Sequence, residues 1–141
     1  MQHVALAALA TAVLVASQSP ANACDQAQVM NPHFLTIPIN GNNYAAIAKS
    51  ALVQAAALQP CIAQSSGHSR TQYLLMRAVA LSTAAQAMDN MPEADRAAEA
   101  RYSKEAIAIA RPIANDPNAL DRERRGAQRI LKVSGWLKKT G

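Results

Sequence analysis

The chain has 141 residues, a formal net charge of +5, and a composition that is 50% hydrophobic but only 4% aromatic. This length suits one domain, and the low charged fraction of 16% excludes an intrinsically disordered chain. Thirty-two alanines and five glycines favour closely packed helices over sheets, and they exclude collagen-like and glycine-rich linker classes. The composition therefore predicts an all-α domain.

The beginning of the chain has the layout of a secretory signal peptide. A thirteen-residue apolar run over residues 4–16 is followed by Pro20 and by small residues at positions −3 and −1 of a cut after Ala23. Such a run would rise about 20 Å as a helix, less than the roughly 30 Å of a bilayer core, so a permanent span is not expected. We predict a signal peptide over 1–23, a single helical domain over 24–141, and a periplasmic or secreted location.

The two cysteines, Cys24 and Cys61, have two mutually exclusive interpretations. An even cysteine count in an exported chain favours a disulfide, which would stabilise the fold by roughly 3–4 kcal/mol for a loop of this size. Alternatively, Cys24 stands directly after the predicted cut, where bacterial lipoproteins are acylated, although Ala21 replaces the usual leucine. A lipidated sulfur could not form the bridge.

The mature chain begins with a segment rich in helix-breaking residues, which we predict to be an extended strap over residues 24–41 lying on the helices. The first helix is predicted from an Asn43 N-cap to about Leu58, with Pro60 ending it. Its core-facing residues, at helical spacing, are Ile47, Ala51, Ala55 and Leu58.

The second helix is predicted to start at a capping box formed by Ser69 and Gln72, and to end near Asp89. We expect it to be the most buried helix. Its core-facing residues are Leu74, Ala78, Leu81, Ala85 and Met88, with Leu75 and Val79 widening the face.

The third helix is predicted to open with an Asn90 cap and Glu93, and to end at about Arg111, because Pro112 ends or kinks a helix. Its predicted core face is Ala98, Tyr102, Ala106, Ile109 and Ile113. Its predicted water-facing residues are Asp95, Arg96 and Glu99.

The fourth helix is predicted to follow an Asn118 cap, with Gly126 and Gly135 each weakening it by about 1 kcal/mol. Its predicted apolar arc is Leu120, Ala127, Ile130, Leu131 and Leu137. Short connections between the four helices predict a four-helix antiparallel bundle or a short helical-hairpin array.

A few positions resemble one tetratricopeptide repeat. Ala98 and Tyr102 have the four-residue spacing of that pattern, and residues 116–118 (Asp-Pro-Asn) resemble its usual ending. The resemblance covers one repeat and lacks the pattern's Trp, Gly and Tyr positions. It would imply a tetratricopeptide-like array of helical hairpins.

The positive charge is concentrated at the end of the chain. Residues 24–117 hold seven basic and seven acidic side chains, whereas residues 118–141 hold seven basic and two acidic ones. At 100° per residue, one stripe opposite the apolar arc contains Arg122, Arg125, Arg129, Lys132, Trp136 and Lys139. Such a stripe is typical of proteins that bind anionic surfaces, although solvated outer faces and the helix dipole also favour basic residues.

The sequence therefore predicts a non-enzymatic, exported binding module whose basic fourth helix contacts an anionic envelope component or a protein partner. Peripheral membrane contact fits this pattern, whereas nucleic acid is not expected outside the cytosol. The first alternative is an accessory helical-repeat protein that docks a partner through apolar faces of its first two helices.

The second alternative is a small metal-dependent or hydrolytic enzyme, which would need His33 and His68 to meet a carboxylate in one pocket. Neither histidine has a second ligand at metal-binding spacing, and no phosphate loop or nucleophile-elbow motif is present. We predict no catalytic residue, no metal site and no cofactor.

Overall fold

The computed structural model describes residue 24, residues 33–92 and residues 95–140. Within these residues, the four α-helices are α1 (Tyr44–Gln64), α2 (Gly67–Asp89), α3 (Arg96–Ala114) and α4 (Asp121–Thr140). A short 3-10 helix, His33–Thr36, precedes them, in place of the extended backbone predicted there. The all-α prediction is confirmed, and the predicted signal peptide lies outside the described residues.

Helix α1 does not end at Pro60, so the predicted end near Leu58 is wrong. Pro60 lies exposed inside the helix, where its ring removes one backbone hydrogen bond. The turn that follows is retained because Cys61 and Ile62 are buried, with 1% and 7% of their surfaces exposed. The burial of Cys61 and Ile62 stabilises this turn and offsets the loss of the hydrogen bond that Pro60 cannot donate.

The predicted capping box at the start of α2 is also wrong. The N-cap is Ser66, three residues earlier than predicted, and the helix begins at Gly67, whose φ of +60° is a conformation that favours glycine. Ser69 therefore lies inside the first turn and is not the N-cap.

Helix α3 starts later and ends later than predicted. Its N-cap is Asp95, whose side chain accepts a hydrogen bond from the Ala98 amide at 3.1 Å. Asn90 instead ends α2, where its side-chain amide donates to the Gln86 carbonyl at 2.8 Å. Pro112 lies within the last turn of α3 and does not end it.

The predicted Asn118 cap of α4 is also wrong. Asn118 lies in the preceding loop, where its amide donates to the Asp116 side chain at 2.9 Å. The helix begins at Asp121, and Glu123 closes its first turn by accepting from the Leu120 amide at 2.8 Å. This bond is the returning half of a capping box.

The helices pack as successive hairpins around one core. Helix α1 packs on α2, α2 on α3, and α3 on α4, while α4 also packs against α2. His68 contacts Glu123 near the start of both helices, and Ser82 contacts Ser134 further along both. Helices α2 and α4 therefore run parallel. Contacts from Asp89 to Arg96 and from Arg77 to Glu105 go backwards along α2 as they go forwards along α3, so these two neighbouring helices are antiparallel, as predicted.

Alanine dominates the core, as the composition indicates. Side chains with no exposed surface include Ala51, Ala78, Ala80, Ala84, Ala85, Ala106, Ala110 and Ala127. The predicted core face of α1 is confirmed, since all four of its residues are buried. In α2 the buried set centres on Ala78, Leu81 and Ala85, whereas Leu74 and Met88 are only partly buried.

A disulfide between Cys24 and Cys61 fastens the segment that begins at Cys24 to α1, with the two Cα atoms 5.5 Å apart. The Tyr73 hydroxyl of α2 donates to the Cys24 carbonyl at 3.0 Å, so Cys24 is held by two helices. Further along the strap, Ile37 packs against the buried cluster of Ile47, Ala48 and Ala87. The disulfide prediction is confirmed, and a sulfur bonded in this way cannot carry a lipid.

Helix α1 is, among the described residues, the one helix long and apolar enough to cross a membrane by length and composition. Its mean hydropathy is 1.3. The side chains of Ala51, Ala55 and Leu58 are buried in the core, and 39% of the apolar stretch is buried overall.

Candidate functional site

Helix α4 has one buried face and one charged face. Its buried face comprises Glu123, Ala127, Ile130 and Ser134, and Ala119 of the preceding loop is buried on the same side. Their spacing of three and four residues places them on one side of the helix. Leu120, predicted on the apolar arc, is instead 37% exposed, whereas Ala119 next to it is buried.

The opposite side of α4 carries four exposed cations, which we call the basic face: Arg122, Arg125, Arg129 and Lys132. Steps of three, four and three residues keep them on one surface over about 15 Å of helix. The structure thus brings together four of the six residues predicted for this stripe. Positions 136 and 139 belong to α4, but the side chains of Trp136 and Lys139 lie outside the described residues.

Neither acidic residue of α4 neutralises the basic face. Asp121 pairs with Arg124, which also donates to the carbonyls of Asp116 and Ala119 at 3.2 and 2.8 Å. Arg124 therefore anchors the α3–α4 loop rather than facing a partner. Within the described residues, the four cations of the basic face make no ion pair with the chain's own acids.

Glu123 is a buried carboxylate that the sequence pattern did not lead us to expect. Its side chain is 2% exposed, and its Oε1 accepts from the Leu120 amide at 2.8 Å and contacts Nδ1 of His68 at 3.0 Å. The N-terminal ends of α2 and α4 place their positive dipole ends near this buried charge.

A second buried carboxylate corrects the predicted water-facing side of α3. Glu99 is 7% exposed, and Arg96 donates to it and to Asp89 of α2, at 2.9 Å in each case. Burial raises the pKa of Glu99 above its ordinary value of 4.5, and the hydrogen bond from Arg96 opposes that rise. These bonds join the end of α2 to the start of α3.

The residues needed for the alternative functions are placed as follows. His68 meets the carboxylate of Glu123, whereas the side chain of His33 lies outside the described residues. No group of three His, Cys, Asp or Glu side chains that could hold a metal occurs in the part of the chain described. On α1 and α2, Val53 is the one large apolar side chain that is mainly exposed among these residues.

Comparisons with protein family models, curated proteins and solved structures find no match to this chain. Its function is therefore argued from the geometry of the basic face and of the Glu123 region.

Proposed function

We propose that the protein is exported and binds peripherally to an anionic membrane surface through the basic face of α4. The observation that carries this proposal is the separation of charge on that helix. Four cations lie exposed on one side, while Asp121 pairs with Arg124 and Glu123 is buried against His68.

The arrangement suits a planar anionic surface for a simple electrostatic reason. Each Lys or Arg held near a surface of anionic headgroups contributes about 1 kcal/mol. A straight stripe of four can approach such a surface together, without a pocket and without bending. The attraction falls off within a Debye length of about 8 Å at physiological salt, so binding depends on ionic strength.

The disulfide supports the export half of the proposal. Disulfides form and persist in oxidising compartments such as the periplasm and the extracellular space, and they are rare in the cytosol. Cys24 and Cys61 are bonded to each other, and among the described residues no free cysteine is present.

The test is co-sedimentation of the purified protein with vesicles of equal parts phosphatidylglycerol and phosphatidylcholine. Replacing Arg125 and Arg129 by Glu removes two attractions and adds two repulsions. The partition coefficient should fall at least about 30-fold, the equivalent of roughly 2 kcal/mol. Raising the salt from about 20 to 500 mM should release the native protein, because the Debye length shrinks severalfold.

A matched control makes the same charge change elsewhere. Lys49 on α1 and Lys104 on α3 are exposed, and replacing both by Glu lowers the net charge equally. This variant should keep vesicle binding within about threefold of the native protein, because its basic face is intact. A native protein that fails to sediment, or a control that binds as weakly as the α4 variant, would overturn the proposal.

A further inference from the structure

Two large aliphatic side chains lie exposed on the strap, close to where it joins α1. Leu35 is 62% exposed and Ile39 is 80% exposed. Ile37, which lies between them, packs inward on the buried cluster that contains Ile47 and Ala87. The strap is therefore held on the helices by Ile37, and the aliphatic side chains on either side of it remain in contact with solvent.

Hydrogen bonds fix the shape of the strap where it carries Ile39. The side-chain amide of Asn43 donates to the Pro38 carbonyl at 3.1 Å, and its backbone amide donates to the Asn40 carbonyl at 3.0 Å. Residues 33–43 contain no Asp, Glu, Lys or Arg. This part of the strap can therefore approach an apolar phase without removing a charged side chain from water, which would be costly.

Helix α2 connects the strap to the basic face of α4. Met76 and Ala87 are three turns apart, so they lie on the same side of α2, separated by about 16 Å. Met76 lines the same open depression as Arg122, at one end of the basic face, whereas Ala87 packs beneath Ile37 of the strap. The basic face and the strap therefore lie on the same side of the molecule. Because α4 runs parallel to α2, the basic face extends from Arg122 towards the strap.

The chemistry of these two surfaces fits an anionic bilayer better than a protein partner. Two protruding side chains fall far short of the roughly 800 Å² per partner that a stable protein interface buries. A bilayer needs no matching pocket, and aliphatic side chains that enter it gain free energy in proportion to the apolar area removed from water. Cations beside them remain among the anionic headgroups.

We propose that Leu35 and Ile39 insert into the bilayer to which the basic face of α4 binds. This inference rests on the proposed membrane function and adds an apolar contact to it. The basic face supplies an attraction that salt screens, whereas the aliphatic side chains supply a short-range contact that salt does not screen. Two contacts on different elements also determine which side of the protein faces the membrane.

The test uses the phosphatidylglycerol and phosphatidylcholine vesicles described above and the double variant Leu35→Asn, Ile39→Asn, which keeps the net charge. Its partition coefficient should be at least about tenfold below that of the native protein, equivalent to about 1.4 kcal/mol. This ratio should be the same at about 20 and 100 mM salt, whereas the loss caused by Glu at positions 125 and 129 should shrink at the higher salt. Equal binding of the Asn variant and the native protein would overturn the inference, as would a ratio that shrinks with salt.

Val53 provides a matched control for the loss of one exposed aliphatic side chain. It is 63% exposed and lies on the side of α1 opposite to the buried Ala51 and Ala55. Val53→Asn should keep vesicle binding within about twofold of the native protein, whereas Ile39→Asn alone should lower it at least about threefold. Equal losses in these two single variants would contradict a specific contact through the strap.

A nitroxide label measures insertion directly. Cys24 and Cys61 are bonded to each other, so a thiol introduced by Ile39→Cys or Val53→Cys is the one that reacts with the label. Adding vesicles should raise collisions of the label at position 39 with oxygen relative to a water-soluble nickel complex, and should leave position 53 unchanged. A label at position 39 that stays in water while the protein sediments would overturn this inference alone. A native protein that does not sediment would overturn the proposed membrane binding as well.

Discussion

Oε1 of Glu123 lies 3.0 Å from Nδ1 of His68, and this contact joins the first turns of two parallel helices. The same oxygen accepts from the Leu120 amide at 2.8 Å, so one carboxylate both closes the start of α4 and ties α4 to α2. His68 is half exposed, whereas Glu123 is 2% exposed. Replacing Glu123 should therefore affect stability differently from replacing His68.

Glu123→Ala should lower the free energy of unfolding by about 2 kcal/mol. The variant loses a charge-assisted bond to a helix-start amide and leaves that amide unpaired. His68→Ala should cost less than about 1 kcal/mol, because water replaces a half-exposed partner. Urea unfolding of both variants measures the difference, and an equal or larger cost for His68→Ala would show that the histidine contact dominates.

Removing the disulfide should destabilise the protein by roughly 3–4 kcal/mol, since the bridge closes a long loop in the unfolded chain. The two cysteines are separated by 37 residues. Guanidinium unfolding of a variant with Ala at positions 24 and 61 measures this cost. Adding a reductant should lower the free energy of unfolding of the native protein and leave that of the variant unchanged. An equal effect of the reductant on both proteins would contradict the expected role of the bridge.

Gly126→Ala should stabilise α4 by about 0.5–1 kcal/mol, because alanine loses less backbone entropy inside a helix. A Cβ atom at this position would lie 3.9 Å from Cδ1 of Leu75, which is an ordinary contact. The contrasting variant is Gly67→Ala, which should destabilise by about 1 kcal/mol, because its φ of +60° disfavours a side chain. Thermal unfolding of both variants should show shifts of opposite sign.

Glu99 should make stability depend on pH in a defined direction. Because burial raises its folded-state pKa above 4.5, the folded protein holds this proton more tightly than the unfolded chain. The free energy of unfolding of the native protein, minus that of a Glu99→Gln variant, should therefore decline as the pH rises from 4.5 towards neutrality, since Gln does not titrate. Urea unfolding across this range measures the difference.

A variant of Arg96 provides the check on this pH dependence. The Arg96 hydrogen bond lowers the pKa of Glu99, so Arg96→Gln should raise that pKa further and enlarge the decline. A stability difference that stays constant or grows with pH would contradict the raised pKa of Glu99.

The helices and their buried faces were predictable because alanine and leucine recur at helical spacing. The face of α1 that carries Ile47, Ala51 and Leu58 was correctly identified from that spacing alone. Helix ends were less predictable, because several residues could each serve as a cap or a terminator. Pro60 is tolerated only because tertiary burial and the disulfide hold the turn beyond it, and the local sequence does not contain that information.

The position of Glu123 in the sequence pattern of α4 indicates its burial. At 100° per residue, Glu123 falls between Ala127 and Ile130, inside the predicted apolar arc of α4, and Ser134 falls there too. An acid in the middle of an apolar arc indicates either a paired buried charge or a site. What the sequence could not supply was its partner, because His68 lies 55 positions earlier on another helix.

The small side chains of the core determine which substitutions the fold tolerates. Ala80, Ala84 and Ala106 have no exposed surface, and each contributes only a methyl group. Trimming such a residue to glycine removes one methyl group and costs about 1–2 kcal/mol, whereas adding two or more carbons would force neighbouring backbones apart. The molecule's weak point is therefore gain of volume rather than loss, the reverse of a protein filled with leucine and phenylalanine.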